Sequence, residues 1–390
     1  MKHQIKKIIH KTVFFREINR IIHDKNIFLL VLIAPILYVF FYGSVYINNS
    51  VRHLDIGLID RDNSSLSAMV RQYCLADPML DVHAYHSLEE AKKDLYRQKI
   101  CAYILIPQNF EKNIKRGNRS PYSVYVSTAV FMQSNEISKH LLQINATLGA
   151  QIDAKFLLAK GYSKIQSLHT VLPVRTDLYS SGNAVYGYGN FVLIGLFVLI
   201  LQQLLLIGMC ESVAEERQSG NMPVWFDHSG NNLFRMLTGK MTPYLIFFMT
   251  YYLFYLSIPF SVFHLHQKAN YLHLILLAIP FFITVAEMAL LFGSFFKEKL
   301  QALQIMALTS VPFFLVCGYA WPFFSLHPAL KLLSSLFPTY FMMISFQSMT
   351  QLGSRLSDQY VNWFWMWGQV IFYGVLMYWR YIVLTRNMRK

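Results

Sequence analysis

Charge is scarce in this sequence. Only 14% of its 390 residues are Asp, Glu, Lys or Arg, against roughly 25% in soluble domains, so much of its surface is expected to face lipid rather than water. Cysteine is almost absent: Cys74, Cys101, Cys210 and Cys317 are scattered along the chain, and no Cys or His spacing suggests a metal site. Cys74 and Cys101 fall where a disulfide is chemically allowed, and two unrelated buried thiols account for them as well. A nucleotide-binding P-loop is missing too, because Gly239-Lys240 is followed by Met241 and lacks the upstream glycine that would cradle phosphates. Asp60 and Asp62, or Ser64 with His86, carry no catalytic spacing and read as turn and cap residues. No catalytic residue is assigned.

Apolar residues are abundant, at 54% with 31 Phe, 24 Tyr and 6 Trp. A helix crossing an ~30 Å hydrocarbon core needs about 20 of them in a row. Ile27–Ile47 and Tyr186–Cys210 contain no charged residue. Thr242–Phe263, Leu272–Phe296, Leu300–Ala320 and Trp363–Leu384 supply four further spans, with Trp363, Trp365 and Trp367 marking an interface. Between the last two, prolines break the chain at Pro322, Pro328 and Pro338. The intervening Ala329–Leu336 is too short to cross and predicts a re-entrant or interfacial helix in an outer segment, 321–345.

Net charge is +14, and its placement orients the chain. Lys2, Lys6, Lys7, Lys11, Arg16, Arg20 and Lys25 precede the first span, while Arg380, Arg386, Arg389 and Lys390 close the sequence. An even number of spans puts both ends on one side, which the positive-inside rule makes the cytoplasm. Orientation thus explains the basic charge without nucleic acid. The first span reads as an uncleaved signal-anchor. In residues 1–25, Ile5, Ile8, Ile9, Val13, Ile18, Ile21 and Ile22 share one broad face and predict an amphipathic helix at the cytoplasmic interface.

The first span covers 26–47, and residues 48–182 are then extracytoplasmic and read as a small α/β domain. Strands are expected at Leu54–Ile59, Val82–Tyr85, Cys101–Ile106 and Tyr122–Val126, and helices at Ser65–Leu75, from Ser87 to about Lys99, and over Gln108–Arg116. A long helix, Gln133–Lys160, is expected to return as a stalk. Residues 183–390 hold spans two to six, with a polar cytoplasmic loop over 211–242. The fold class is therefore a membrane all-α bundle of about six transmembrane helices, plus the small α/β domain and the N-terminal interfacial helix. Within the spans Glu287 is a deep acid, a costly placement. It is expected to be protonated, to pair with a polar group inside the bundle, or to line a pathway, and Gln202, Gln203 and Gln304 either to pair between helices or to line one.

These features together resemble the type-2 ABC-transporter permeases, in the bacterial multidrug or lipid exporter subfamily with a large loop after the first span. Phe15–Lys25 resembles the basic entry segment and Ala34-Pro-Ile-Leu37 the proline-containing span after it. Gly57–Asp62 and Ala102–Phe110 match the outer-domain pattern. Glu215-Glu-Arg-Gln-Ser-Gly220 with Gly239–Pro243 resembles the coupling region, and Cys317–Pro322 through Phe337–Tyr340 the outer re-entrant segment. The chain departs from the family at Asn221-Met-Pro and over Asn183–Gly189.

The resemblance implies a permease subunit in a bacterial plasma (inner) membrane, not an enzyme. It implies a separate ABC ATPase that carries the ATP and magnesium, so this chain has no cofactor of its own. Glu215, Glu216, Arg217 and Gly220, with the N-terminal helix, would dock on that ATPase. A second copy or paralogue would complete a path between spans two and five for an amphipathic or lipid-like substrate moving outward. Membrane lipid and a periplasmic adaptor are further expected partners. Two other classes compete. A receptor whose outer domain binds a ligand would normally carry a cytoplasmic output domain. A lipid-modifying enzyme would want carboxylates beside His264, His266 and His273.

Overall fold

Inside lipid a backbone can satisfy its own polar groups only as helix or closed barrel, and the apolar runs of this chain are helical in the computed structural model. The structure describes residues 13–46, 53–171, 188–265, 267–319, 321 and 323–388. The chain divides into two units, Met1–Asn49 with Ser180–Lys390, and Ser50–Tyr179.

In the first unit, helix α1 (Val13–His23) leads through Asp24 into α2 (Lys25–Val45). Asp24 caps α2, its carboxylate accepting from the backbone amides of Asn26 and Ile27. The residues before Val13, including Ile5, Ile8 and Ile9, lie outside those described. Pro35 cannot donate to the helix ladder, and α2 relaxes into a π-helical turn, Leu29–Ile33, just before it. Tyr251 and Tyr255 donate their hydroxyls to the carbonyls of Leu32 and Pro35, at 3.0 and 2.5 Å. They stand one turn apart on a neighbouring helix.

The long helices that follow are α8 (Tyr188–Gln218), α10 (Leu233–Val262) and α11 (Tyr271–Gly293). Next come α12 (Lys299–Leu308) with α13 (Ser310–Val316), and finally α16 (Tyr360–Met388). Helix α8 runs through the middle of the bundle against α11 and α12, and α11 packs along α16. Five segments are long and apolar enough to cross a membrane: Lys25–Val45, Phe191–Gln218, Leu233–Val262, Tyr271–Gly293 and Lys299–Val316. Helix α16 is not one of them by composition, being rich in Trp and Tyr, yet its 29 residues reach about 43 Å. The proline-broken stretch forms α14 (Pro328–Ser335) and a second arm, Pro338–Leu352, bent 86° from it. That arm opens with α15 (Pro338–Gln347), and neither arm alone spans 30 Å.

One expected boundary is wrong. The polar stretch 211–242 is mostly not a loop: α8 continues two turns past Cys210 to Gln218, and α10 already begins at Leu233. A short helix, α9 (Met222–His228), fills the gap, leaving only 219–221 and 229–232 outside helices. The charges that mark a boundary in sequence are neutralised here by partners distant along the chain, so the helices carry on through them.

The second unit is built on a four-stranded sheet of order β2-β1-β3-β4, with β1 (Leu54–Asp60) parallel to β2 (Leu80–Ala84) and to β3 (Ala102–Ile106). The last strand, β4 (Ser123–Val126), runs antiparallel to β3. Helices α3 (Ser65–Ala76), α5 (Phe110–Lys115) and α6 (Phe131–Ala159) enclose one core with Ile56, Leu58, Ile104 and Ile106. Helix α4 (Leu88–Tyr96) buries Ala91 with Ile59 and Tyr103 in another. Helix α7 (Lys164–Val171) ends the described part of the unit. The first half of α6 is not a bare stalk, since Ile137, Leu141, Ile144 and Leu148 are buried in the sheet core.

Asp60 accepts from the amides of Asp62 and Asn63 and from the Ser67 hydroxyl. Asp62 accepts from the first amides of α5, and Ser64 caps α3. Cys74 and Cys101 are separate thiols with no disulfide. Burial, helped by Asp77, pushes the Cys74 thiol up to about 11.

Candidate functional site

The four residues assigned to coupling lie at the end of α8, and three of them point into the protein. Helix α1 turns its polar side inward here. The Glu216 side chain is fully buried and pairs with Arg16 at 2.7 Å, with Arg20, and with Lys240 of α10 at 3.7 Å. Lys240, also buried, lies 2.7 Å from Glu17 and donates to the Ser212 hydroxyl at 2.7 Å. Ser212 donates in turn to Glu17, which also accepts from the Tyr244 hydroxyl at 3.0 Å. Burial alone would raise the Glu17 carboxyl, but Lys240 and Arg20 outweigh it and hold it below the ordinary carboxylate range. Leaving a charge without its partner at these depths costs about 3–5 kcal/mol, so each member of the cluster supports the others.

A second knot ties in α12. Lys299 pairs with Asp24, and lies 3.4 Å from Glu211 and 3.8 Å from Glu215. Burial would raise Asp24, whereas the Lys299 hydrogen bond and the α2 amides lower it overall. Gln218 accepts from the first amide of α12 at 2.8 Å. Arg217 donates to the carbonyls of Ser294 and Phe296, and Arg380 of α16 donates to the same Ser294 carbonyl at 3.2 Å. The last two turns of α8 therefore hold α1, α10, α12 and the turn after α11, to which Arg380 also ties α16.

Of the four, Gly220 alone is fully exposed, at φ +67°, a left-handed turn that suits glycine. Glu215 is 30% exposed. Beyond the turn, Trp225 anchors α9 from below: its ring is buried, 4.8 Å beneath the Lys240 ammonium, and packs edge-on against Tyr381. Pro223, Val224 and Asp227 of α9 face outward. Trp225 was not singled out in the sequence, and Glu17 and Lys240 entered only as parts of Phe15–Lys25 and Gly239–Pro243. The charge of Glu17 opposite the lysine-rich tail, and a lysine inside an apolar run, were the available signals.

The residues expected between helices or along a pathway separate into different environments. Gln202 accepts a hydrogen bond from Thr339 and joins α8 to α15. Gln203 is buried, and its amide has no hydrogen-bond partner among the described residues. It lines a groove of about 440 Å3 with Leu30, Tyr38, Leu199, Val311 and Phe314, between α2, α8 and α13. Gln304 is exposed on α12. Glu287 borders a separate cavity between α10, α11 and α16. Among the described residues no group of three or more His, Cys, Asp or Glu is placed to hold a metal ion; His266 lies outside them.

The model of the ABC-2 family transporter proteins matches residues 25–379. "Probable multidrug ABC transporter permease YbhS" of Escherichia coli strain K12 is 18% identical over 341 residues, covering 87% of each chain. The protein of that name from the O157:H7 strain matches to the same extent. A multi-pass helical bundle with these matches along nine-tenths of its length belongs to the ABC-2 family of transporter proteins and is a permease subunit of an ABC transporter.

Proposed function

We propose that this chain forms the membrane path of an exporter that moves an amphipathic or lipid-like substrate out of the cytoplasm or inner leaflet. ATP and magnesium are held by a separate ATPase chain. The observation that carries the reading is the end of α8. Its last two turns clamp four other elements, and directly beyond them α9 offers an exposed face, Pro223, Val224 and Asp227, seated on the buried Trp225. A push on α9 reaches Lys240 and Glu216 through Trp225, and so moves α1, α8 and α10 together.

In this reading Val13–His23 and both termini are cytoplasmic, and the bundle sits in a bacterial inner membrane. The α/β unit then stands outside, where a periplasmic adaptor would meet it. The coupling role falls on Gly220, Glu215 and the outer face of α9, while Glu216 and Arg217 transmit from inside. The groove at Gln203 supplies an apolar surface with one unsatisfied amide, suited to an amphipathic cargo. Lys299–Val316, only 11% buried, exposes Leu300, Ile305, Leu308, Val311 and Leu315 beside it, a face for a second copy or paralogue that completes the path.

The test is affinity purification in mild detergent with ATPase activity assayed on the eluate. The expected result is a co-purifying ATP-hydrolysing subunit that is lost from Val224→Asp without loss of folded permease. An ATPase that stays bound to Val224→Asp, or a chain that elutes alone where a known transporter complex survives, would overturn the reading.

A further inference from the structure

Glu287 sits on α11 with 7% of its surface exposed and lines a cavity of about 570 Å3 between α10, α11 and α16. Its Oε2 is buried without a hydrogen-bond partner among the described residues. Gly374 of α16 leaves the room: a Cβ there would stand 3.0 Å from Oε1. Among the cations of these helices, Lys240 is engaged with Glu17 and Ser212, Arg380 with Ser294 and over the Phe295 ring, and Arg235 is exposed. The remaining walls are apolar or weakly polar, including Phe234, Thr238, Met241, Val375 and Trp379, and Phe234 and Trp379 are themselves exposed at 65% and 64%. The cavity falls within the range of small-molecule sites, ~300–1,000 Å3. It offers apolar walls and a single acid.

We propose that this cavity binds a lipophilic monocation, an organic amine or onium ion with an apolar body, whose charge is held by the Glu287 carboxylate. A bare carboxylate in an apolar site is costly, and a cation that brings its own apolar surface removes that cost while filling the cavity. A neutral amphiphile gains the walls without the charge, and an anion is repelled. The site is distinct from the groove at Gln203, which lies between α2, α8 and α13. Binding here is measurable whether or not the chain exports anything.

The experiment is equilibrium binding of radiolabelled tetraphenylphosphonium to the full chain in lipid nanodiscs, corrected with empty nanodiscs. Triphenylphosphine oxide serves as the neutral competitor. Saturable binding is expected, weakened at least about tenfold by the near-isosteric Glu287→Gln and abolished by Thr238→Trp, which fills the cavity while keeping the acid. The neutral compound should compete poorly. Unchanged affinity in Glu287→Gln, equal competition by the neutral oxide, or no saturable binding above empty nanodiscs would each overturn the proposal. Thermal unfolding of both variants close to that of the wild type separates loss of the site from loss of the fold, and should Glu287→Gln fail that check, Glu287→Asp replaces it with binding weakened by the shorter reach.

Discussion

Glu17 holds α1 on the bundle through Lys240, Ser212 and Tyr244, and Glu216 does so through Arg16 and Arg20. Removing one partner of a buried ionic group leaves the others uncompensated, at a cost of about 3–5 kcal/mol. Glu216→Ala takes the carboxylate from Arg16 and leaves Arg20 and Lys240 to share Glu17. It is therefore expected to lower the unfolding midpoint sharply, with Glu216→Gln milder because it retains acceptor capacity. Glu215→Ala, at a partly exposed site, should change stability little; intrinsic tryptophan fluorescence on heating in detergent ranks the three. Glu17 adds a pH dependence of definite sign. Its folded-state carboxyl lies below the ordinary value, so the stability it contributes is present above about pH 4.3 and disappears as pH falls through the lowered folded pKa. The advantage of the wild type over Glu17→Gln should therefore shrink on acidification in that window. An advantage constant from pH 7 to below the window would refute the ionic role.

Helices in this bundle meet at glycines where another backbone comes close. At Gly293 on α11, an added Cβ would stand 2.8 Å from Val213 Cβ and 3.1 Å from the Cys210 backbone of α8. Backbone cannot rotate aside, so Gly293→Ala is expected to cost about 1–3 kcal/mol by overpacking. Gly368 in the middle of α16 has nothing within 4 Å of the same position, and Gly368→Ala should be neutral or gain up to about 1 kcal/mol from helix propensity. Parallel thermal melts of the two variants test the pair. Equal effects would mean that the α8–α11 contact is looser than the geometry requires. The tyrosine pair, Tyr251 and Tyr255, shows a related device, in which side chains satisfy carbonyls at a proline break where no water is available.

At the scale of the molecule, the α/β unit encloses its own apolar cores and forms a compact unit within the chain. A fragment of residues 50–179 is therefore expected to fold alone and unfold cooperatively, read by circular dichroism and by dispersion of its amide NMR spectrum. A non-cooperative melt would show that the unit depends on the helical bundle.

The sequence by itself determined the kind of molecule. Uninterrupted apolar runs demand helices in lipid, and period, caps and prolines outlined the four strands and the short helix at Ala329–Leu336, because those signals act over a few neighbouring residues. The ends of α8 and α10 were decided only by tertiary structure. Glu211, Glu216 and Lys240 look like solvated loop charges until Lys299, Arg16, Arg20 and Glu17 are brought beside them, and those partners are about 88 to 223 residues away. Gln203 and Glu287 looked alike as polar residues within spans. Packing placed one in the groove beside α13 and the other in the cavity beside α16, because which face of a helix meets a neighbour depends on every helix around it.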